Sequence, residues 1–92
     1  MTASVPDWRI VPSTVFTRQM RKLDPPTAKR INDYLEGVVA SGEPRSRGKR
    51  LEGDLGEYWR YRIGDYRVIC EIQDRDLVVL ALRIGHRSEV YR

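Results

Sequence analysis

The sequence predicts an α+β domain: an N-terminal strand, a two-helix antiparallel hairpin, then a three-stranded antiparallel meander, in one sheet with the helices on one face. Three observations carry this prediction. Residues 57–72 hold two runs rich in aromatic and β-branched side chains around a Gly-Asp pair, the composition of a two-residue β-hairpin. Upstream, apolar residues recur at helical spacing in two stretches punctuated by Ser13, Asp24-Pro25-Pro26 and Ser41-Gly42. Downstream, residues 77–84 form an apolar run of the kind found inside a sheet.

Taken in order, residues 8–11 alternate apolar and polar and stop at Pro12, which suits a strand that begins or edges a sheet. Ser13 can cap a helix over residues 14–22, with Val15, Phe16, Gln19, Met20 and Leu23 at roughly helical spacing. Asp24 followed by two prolines supplies a second cap and a first turn in which proline's missing N–H costs nothing. That helix runs to about Ala40, buries Ala28, Ile31, Leu35, Val38 and Val39, and ends at Ser41-Gly42. Residues 43–56 read as a loop, anchored by Leu51 and Leu55.

If Gly64 and Asp65 form the hairpin turn, Ile63 faces Tyr66, Tyr61 faces Val68 and Trp59 faces Cys70, so one side of both strands is apolar. The other side then carries Tyr58, Arg60, Arg62, Arg67, Ile69 and Glu71, with Arg62 directly opposite Arg67. Like charges opposed across a strand pair destabilise it, where complementary pairs contribute roughly 0.2 to 1 kcal/mol. Folding alone gives little reason for three arginines there. The planar guanidinium fork matches phosphate oxygens in pairs, so phosphate is the leading ligand class, against the plainer account of a solvated sheet face.

For the second turn, a three-residue loop of Asp74, Arg75 and Asp76 sets Val78 against Ile72, Leu80 against Cys70 and Arg83 against Arg67; a two-residue loop turns Arg83 to the other side. The first register adds Arg83 to the basic face instead of burying it. Arg45, Arg47, Lys49 and Arg50 form a basic run without an aromatic among them, either a solvated loop or a grip on a nucleic-acid backbone.

Composition sets the outer bounds. Ninety-two residues, 40% hydrophobic and 33% charged, suit a single domain spanning 1–92. The net charge of +4 and pI ≈ 9.6 favour acidic partners. Only Lys22, Lys29 and Lys49 among the 17 basic residues are lysines, a bias toward the bidentate fork. Cys70 is the single cysteine, on the apolar side of the hairpin, so neither a disulfide framework nor a thiolate zinc site is expected. The N-terminal residues lack a signal-peptide pattern and no window has the ~18 apolar residues of a membrane span. A cytoplasmic protein with no membrane partner is expected.

The C-terminal stretch Ile-Gly-His-Arg-Ser-Glu-Val-Tyr makes a resemblance specific. Together with the basic loop, the Tyr-x-Arg strand and the Gly-Asp-Tyr-Arg-Val that follows it, this stretch resembles the RelE/ParE toxin superfamily, and within it the RelE-like mRNA interferases. The resemblance covers nearly the whole chain and implies the RelE-like microbial RNase fold. It implies that Arg60, Arg62, Arg67, Arg87 and Tyr91 bind and cleave mRNA at the ribosome without a metal or other cofactor. The connection from Gly85 to Ser88 is shorter than in some relatives, so Arg87 matches either of two family arginines. His86 sits near where other branches place a catalytic histidine. A neutralising antitoxin, RelB-like and covering the basic face, is the implied partner, with the ribosome and mRNA.

The chemistry can be reasoned separately. Metal-free RNA cleavage requires the 2′-OH to be deprotonated, the added charge on phosphorus to be stabilised and the leaving 5′-oxygen to be protonated. Arg60, Arg62 and Arg67 suit the second task. Tyr91 suits the first, since a phenol of ordinary pKa about 10 shifts toward phenolate beside positive charge. Either Arg87 or His86 supplies the third; histidine is the easier acid, and arginine is what the resemblance favours. The expected activity is an endoribonuclease of a type II toxin–antitoxin pair. Its alternatives are a ParE-like toxin acting on a topoisomerase such as gyrase, and a non-catalytic RNA-binding domain.

Overall fold

The computed structural model of the protein describes residues 7–51 and 58–86. In chain order these form β1 (Arg9–Pro12), α1 (Thr14–Arg21), α2 (Pro25–Ala40), a 3-10 turn (Pro44–Ser46), β2 (Lys49–Arg50), β3 (Tyr58–Ile63), β4 (Tyr66–Gln73) and β5 (Val78–His86). The strands make one sheet in the order β1-β5-β4-β3-β2, with β1 parallel to β5 and the rest antiparallel. This is the predicted α+β class, with a short edge strand, β2, added inside the segment that reads as a loop.

Local chemistry explains the helices. The Ser13 hydroxyl accepts from the Phe16 N–H at 3.0 Å, and the Asp24 carboxylate from the Thr27 N–H at 3.2 Å, each relieving an orphan donor of a first helical turn. Hydrogen bonds from the Thr27 hydroxyl and then its amide hold the Asp24 carboxyl below the usual carboxylate range. Both helices lie on one face of the sheet. The backbone of α1 runs against β5, and α2 spans from β1 to β3, so the sheet is the main partner of each.

The core lies between them. Phe16, Ile31, Leu35 and Val38 from the helices meet Tyr61, Ile63, Val68, Cys70, Val79, Ala81 and Ile84 from the strands. Strand alternation puts the β3 and β4 residues on one side, as the hairpin register predicts: Ile63↔Tyr66, Tyr61↔Val68, Trp59↔Cys70; in β5 a bulge brings Ile84 to the side of Val79 and Ala81. Gly64 takes φ +60 and is the only residue of its turn with positive φ, the pattern of a type II′ turn with glycine at the first central position.

The β4–β5 register corrects the expectation. Val78 faces Gln73, Val79 faces Ile72 and Ala81 faces Cys70, because residues 74–77 all lie in the connection and Leu77 adopts a left-handed φ of 56. A bulge then shifts the ladder, so Arg83 opposes Ile69 and not Arg67, while Arg67 opposes Gly85. Without that bulge the same ladder would carry Arg83 opposite Val68, into the core.

Candidate functional site: a cationic sheet face

The side of the sheet away from the helices collects the cations. Lys49 pairs with Arg60, Arg60 with Ile69 and Ile69 with Arg83, so one row crosses β2, β3, β4 and β5. At about 4.8 Å per strand it spans roughly 14 Å. Ile69, 8% exposed, is its apolar floor. Arg62 lies two residues beyond Arg60, about 7 Å along the strand, and opposes Arg67. Arg62 and Arg83 are exposed and Arg60 is half-buried. Partly sheltered cations over a low-dielectric floor attract anions more strongly than fully solvated ones.

Arg67 differs from its neighbours. It is only 5% exposed, and its Nη1 donates to the carbonyls of Gly64 at 3.4 Å and Tyr66 at 3.2 Å. Its guanidinium therefore braces the β3–β4 turn. A further cation is invisible to strand reasoning: Arg30 of α2 lies over the same turn, its Nη2 2.9 Å from where a side chain on Gly64 would begin. Nothing in the spacing of positions 30 and 64 announces that approach.

The basic run divides. Arg45 makes a bidentate pair with Asp74, at 2.8 and 2.9 Å, and lies over the Trp59 ring at 5.9 Å. The pair holds the Asp74 carboxyl below its usual range and raises Arg45. Arg47 lies over the Tyr34 ring of α2 at 5.2 Å, while its carbonyl accepts from the Trp59 indole at 2.6 Å. Both guanidiniums are thus on the helix-bearing side. Of the remaining two, Lys49 shares the side of Arg60, and Arg50, opposite Trp59, does not.

His86 also falls on the helix-bearing side. It pairs with Tyr66, and the two rings meet edge to face with centroids 5.3 Å apart. They line a recess of about 460 Å³ with Gln19, Lys22, Leu23, Ile84 and Gly85. The sheet separates that ring from Arg60 and Arg62. Arg87 and Tyr91 lie outside the described residues, as does Leu55.

A five-stranded mixed sheet with two helices on one side and cations on the other defines a RelE/ParE-type toxin domain. The chain belongs to the ParE toxin family of type II toxin–antitoxin systems, whose family model matches residues 6–91. It is 32% identical over 80 residues to Toxin RelG of Mycobacterium tuberculosis, a match covering 87% of this chain and 91% of that protein. Its structure is similar to that of the toxin–antitoxin complex RelBE2 from M. tuberculosis, with a TM-score of 0.79, 25% identity and coverage of 89% of this chain and 100% of the other. The isolated Escherichia coli RelE toxin shares the fold at a TM-score of 0.70 and 21% identity, over 94% of this chain and 92% of that one. No helix among the described residues is long and apolar enough to cross a membrane.

Proposed function

We propose that this toxin is a ribosome-dependent, metal-independent endoribonuclease that cleaves mRNA and so inhibits translation. The observation that carries the reading is the cationic row Lys49, Arg60, Arg83 with Arg62 beside it. A strand of RNA laid over it would meet cations at intervals along its phosphates. Arg60 and Arg62 stabilise the charge that develops on the scissile phosphate; Arg67 braces the turn that presents Arg62. Tyr91 takes the 2′-OH proton, and the products are a 2′,3′-cyclic phosphate and a 5′-hydroxyl. Since His86 faces away from the row, we assign protonation of the 5′-oxygen to Arg87. Tyrosine and arginine are weak as base and acid at neutral pH, so positioning by the ribosome must supply much of the acceleration. A RelB-like antitoxin with an acidic, amphipathic segment would neutralise the toxin by covering the same face.

The family model named for ParE supports a second reading, inhibition of a topoisomerase without RNA cleavage. One experiment separates the two: induction of the wild type beside Arg62→Ala and Tyr91→Phe, with primer extension on cellular mRNA. Arg62 is chosen because it is exposed, whereas Arg67→Ala would also loosen the turn. Cuts within translated codons that disappear in both variants support the nuclease. Growth arrest without cuts, undiminished by Tyr91→Phe, supports the topoisomerase reading.

A further inference from the structure

β5 outlasts its neighbour. The β1 strand ends at Pro12, opposite Ala81, yet β5 runs on to His86, and no strand among the described residues covers that edge beyond Pro12. An uncovered strand edge leaves N–H and C=O groups without ladder partners. The first helix and its N-cap residue take over that edge. Ser13 Oγ donates to the Leu82 carbonyl at 2.7 Å, and the Ser13 N–H to the Ala81 carbonyl at 2.9 Å. Gln19 Nε2 donates to the Ile84 carbonyl at 2.8 Å while its Oε1 accepts from the Ile84 N–H at 2.6 Å, so its amide stands in for a peptide group of a missing strand.

These contacts bracket Arg83. Leu82 is the extra residue of the β5 bulge, and the bulge decides which side of the sheet Arg83 occupies. We propose that Ser13 and Gln19 are positioning residues: by clamping Leu82 and Ile84 they hold the bulge and keep Arg83 in the cationic row. Ser13 carries two roles in one hydroxyl, accepting from Phe16 to cap α1 and donating to Leu82 to fix the bulge. That Arg83 then contacts the RNA backbone rests on the nuclease reading above.

The two roles can be separated. Aspartate caps helices as well as serine does, but its carboxylate has no hydrogen to donate to Leu82; threonine keeps both functions. In Ser13→Asp, amide exchange at Leu82 and Arg83 should accelerate, while Ser13→Thr and the charge control Thr14→Asp should match the wild type. Gln19→Met should act in the same direction at Ile84. In ribosome-bound mRNA cleavage, Arg83→Ala should raise the half-saturating toxin concentration about tenfold, as loss of one charged hydrogen bond would. Ser13→Asp should raise it comparably, and the double variant should add nothing further. Unchanged exchange in Ser13→Asp overturns the clamp even if the protein cleaves no RNA, the result that would instead overturn the nuclease reading. Additive losses in the double variant overturn the link between Ser13 and Arg83.

Discussion

Gly48 shows how tightly a single position can be fixed. Its φ is +78, and a side chain there would begin 2.4 Å from the Arg60 carbonyl oxygen and 2.6 Å from the Trp59 indole nitrogen. Gly42 has nearly the same φ, +76, with nothing within 4 Å among the described residues. The pair separates backbone strain from steric exclusion. Gly42→Ala should cost about 1 kcal/mol, the left-handed penalty alone; Gly48→Ala should cost about 3 kcal/mol or more, because the clash is with backbone that must move. Urea unfolding of both variants tests this, and equal losses would show that the Gly48 contact relaxes freely. Cys70 gives a second test at this scale. It is fully buried, and burial pushes its thiol up to about 12. The thiolate is the reactive form, so alkylation at pH 8 should proceed only through opening of the core and should speed up in Gly48→Ala.

At the scale of elements, the connection between α2 and β2 is pinned, a property its composition hides. Tyr61 donates its buried hydroxyl to the Pro44 carbonyl at 2.6 Å, Trp59 reaches the Arg47 carbonyl, and Arg45 crosses to Asp74. Burial raises the Tyr61 phenol, which stays a protonated donor. Tyr61→Phe should therefore cost about 1–2 kcal/mol by stranding the Pro44 carbonyl, measurable by chemical denaturation. The Arg45–Asp74 pair is largely exposed and worth at most about 1 kcal/mol. Its pH dependence has a definite sign. The folded Asp74 carboxyl is held below its ordinary value, so its contribution is complete above about pH 4 and is lost as pH falls through the folded pKa. Wild type and Asp74→Ala should thus differ in stability at neutral pH and converge in acid; a gap that persists would assign the effect to packing.

The same elements show what the sequence could and could not announce. The Gly-Asp turn and the alternation around it specify the β3–β4 register, because slipping by one residue would bury Arg60 and Arg62. The capping residues Ser13 and Asp24 mark both helix starts. The β4–β5 register was not legible, since it depends on Leu77 entering the left-handed region and on a bulge held by α1. The first is unusual for leucine, and the second rests on contacts with residues more than sixty positions away. Arg45 and Arg47 look equivalent to Lys49 in the sequence, yet rings on Trp59 and Tyr34 draw them to the other side.

Across the whole molecule, the sheet divides labour between its faces. One face is closed by helices around the core, and the other holds like charges in register, Arg62 against Arg67. That opposition works against folding, and its retention fits a surface shaped by an anionic partner. A trade-off between stability and function follows. Arg62→Ala removes like-charge repulsion, so it should stabilise the fold by about 0.2–1 kcal/mol, which for a domain of this size raises Tm by up to several degrees. On the nuclease reading proposed above, the same change should weaken mRNA cleavage, by loss of a cation at the phosphate. Arg62 is exposed, so its repulsion with Arg67 is screened by salt from the solvent side, and the gain in Tm should shrink as ionic strength rises. Calorimetry in low and high salt beside the cleavage assay tests both halves. A fall in Tm would mean that Arg62 contributes more through its packing than it costs through its charge. The cationic face would then be part of what holds the fold together, and Arg62→Lys, which keeps the charge and loses the fork, would decide whether packing or charge sets the stability.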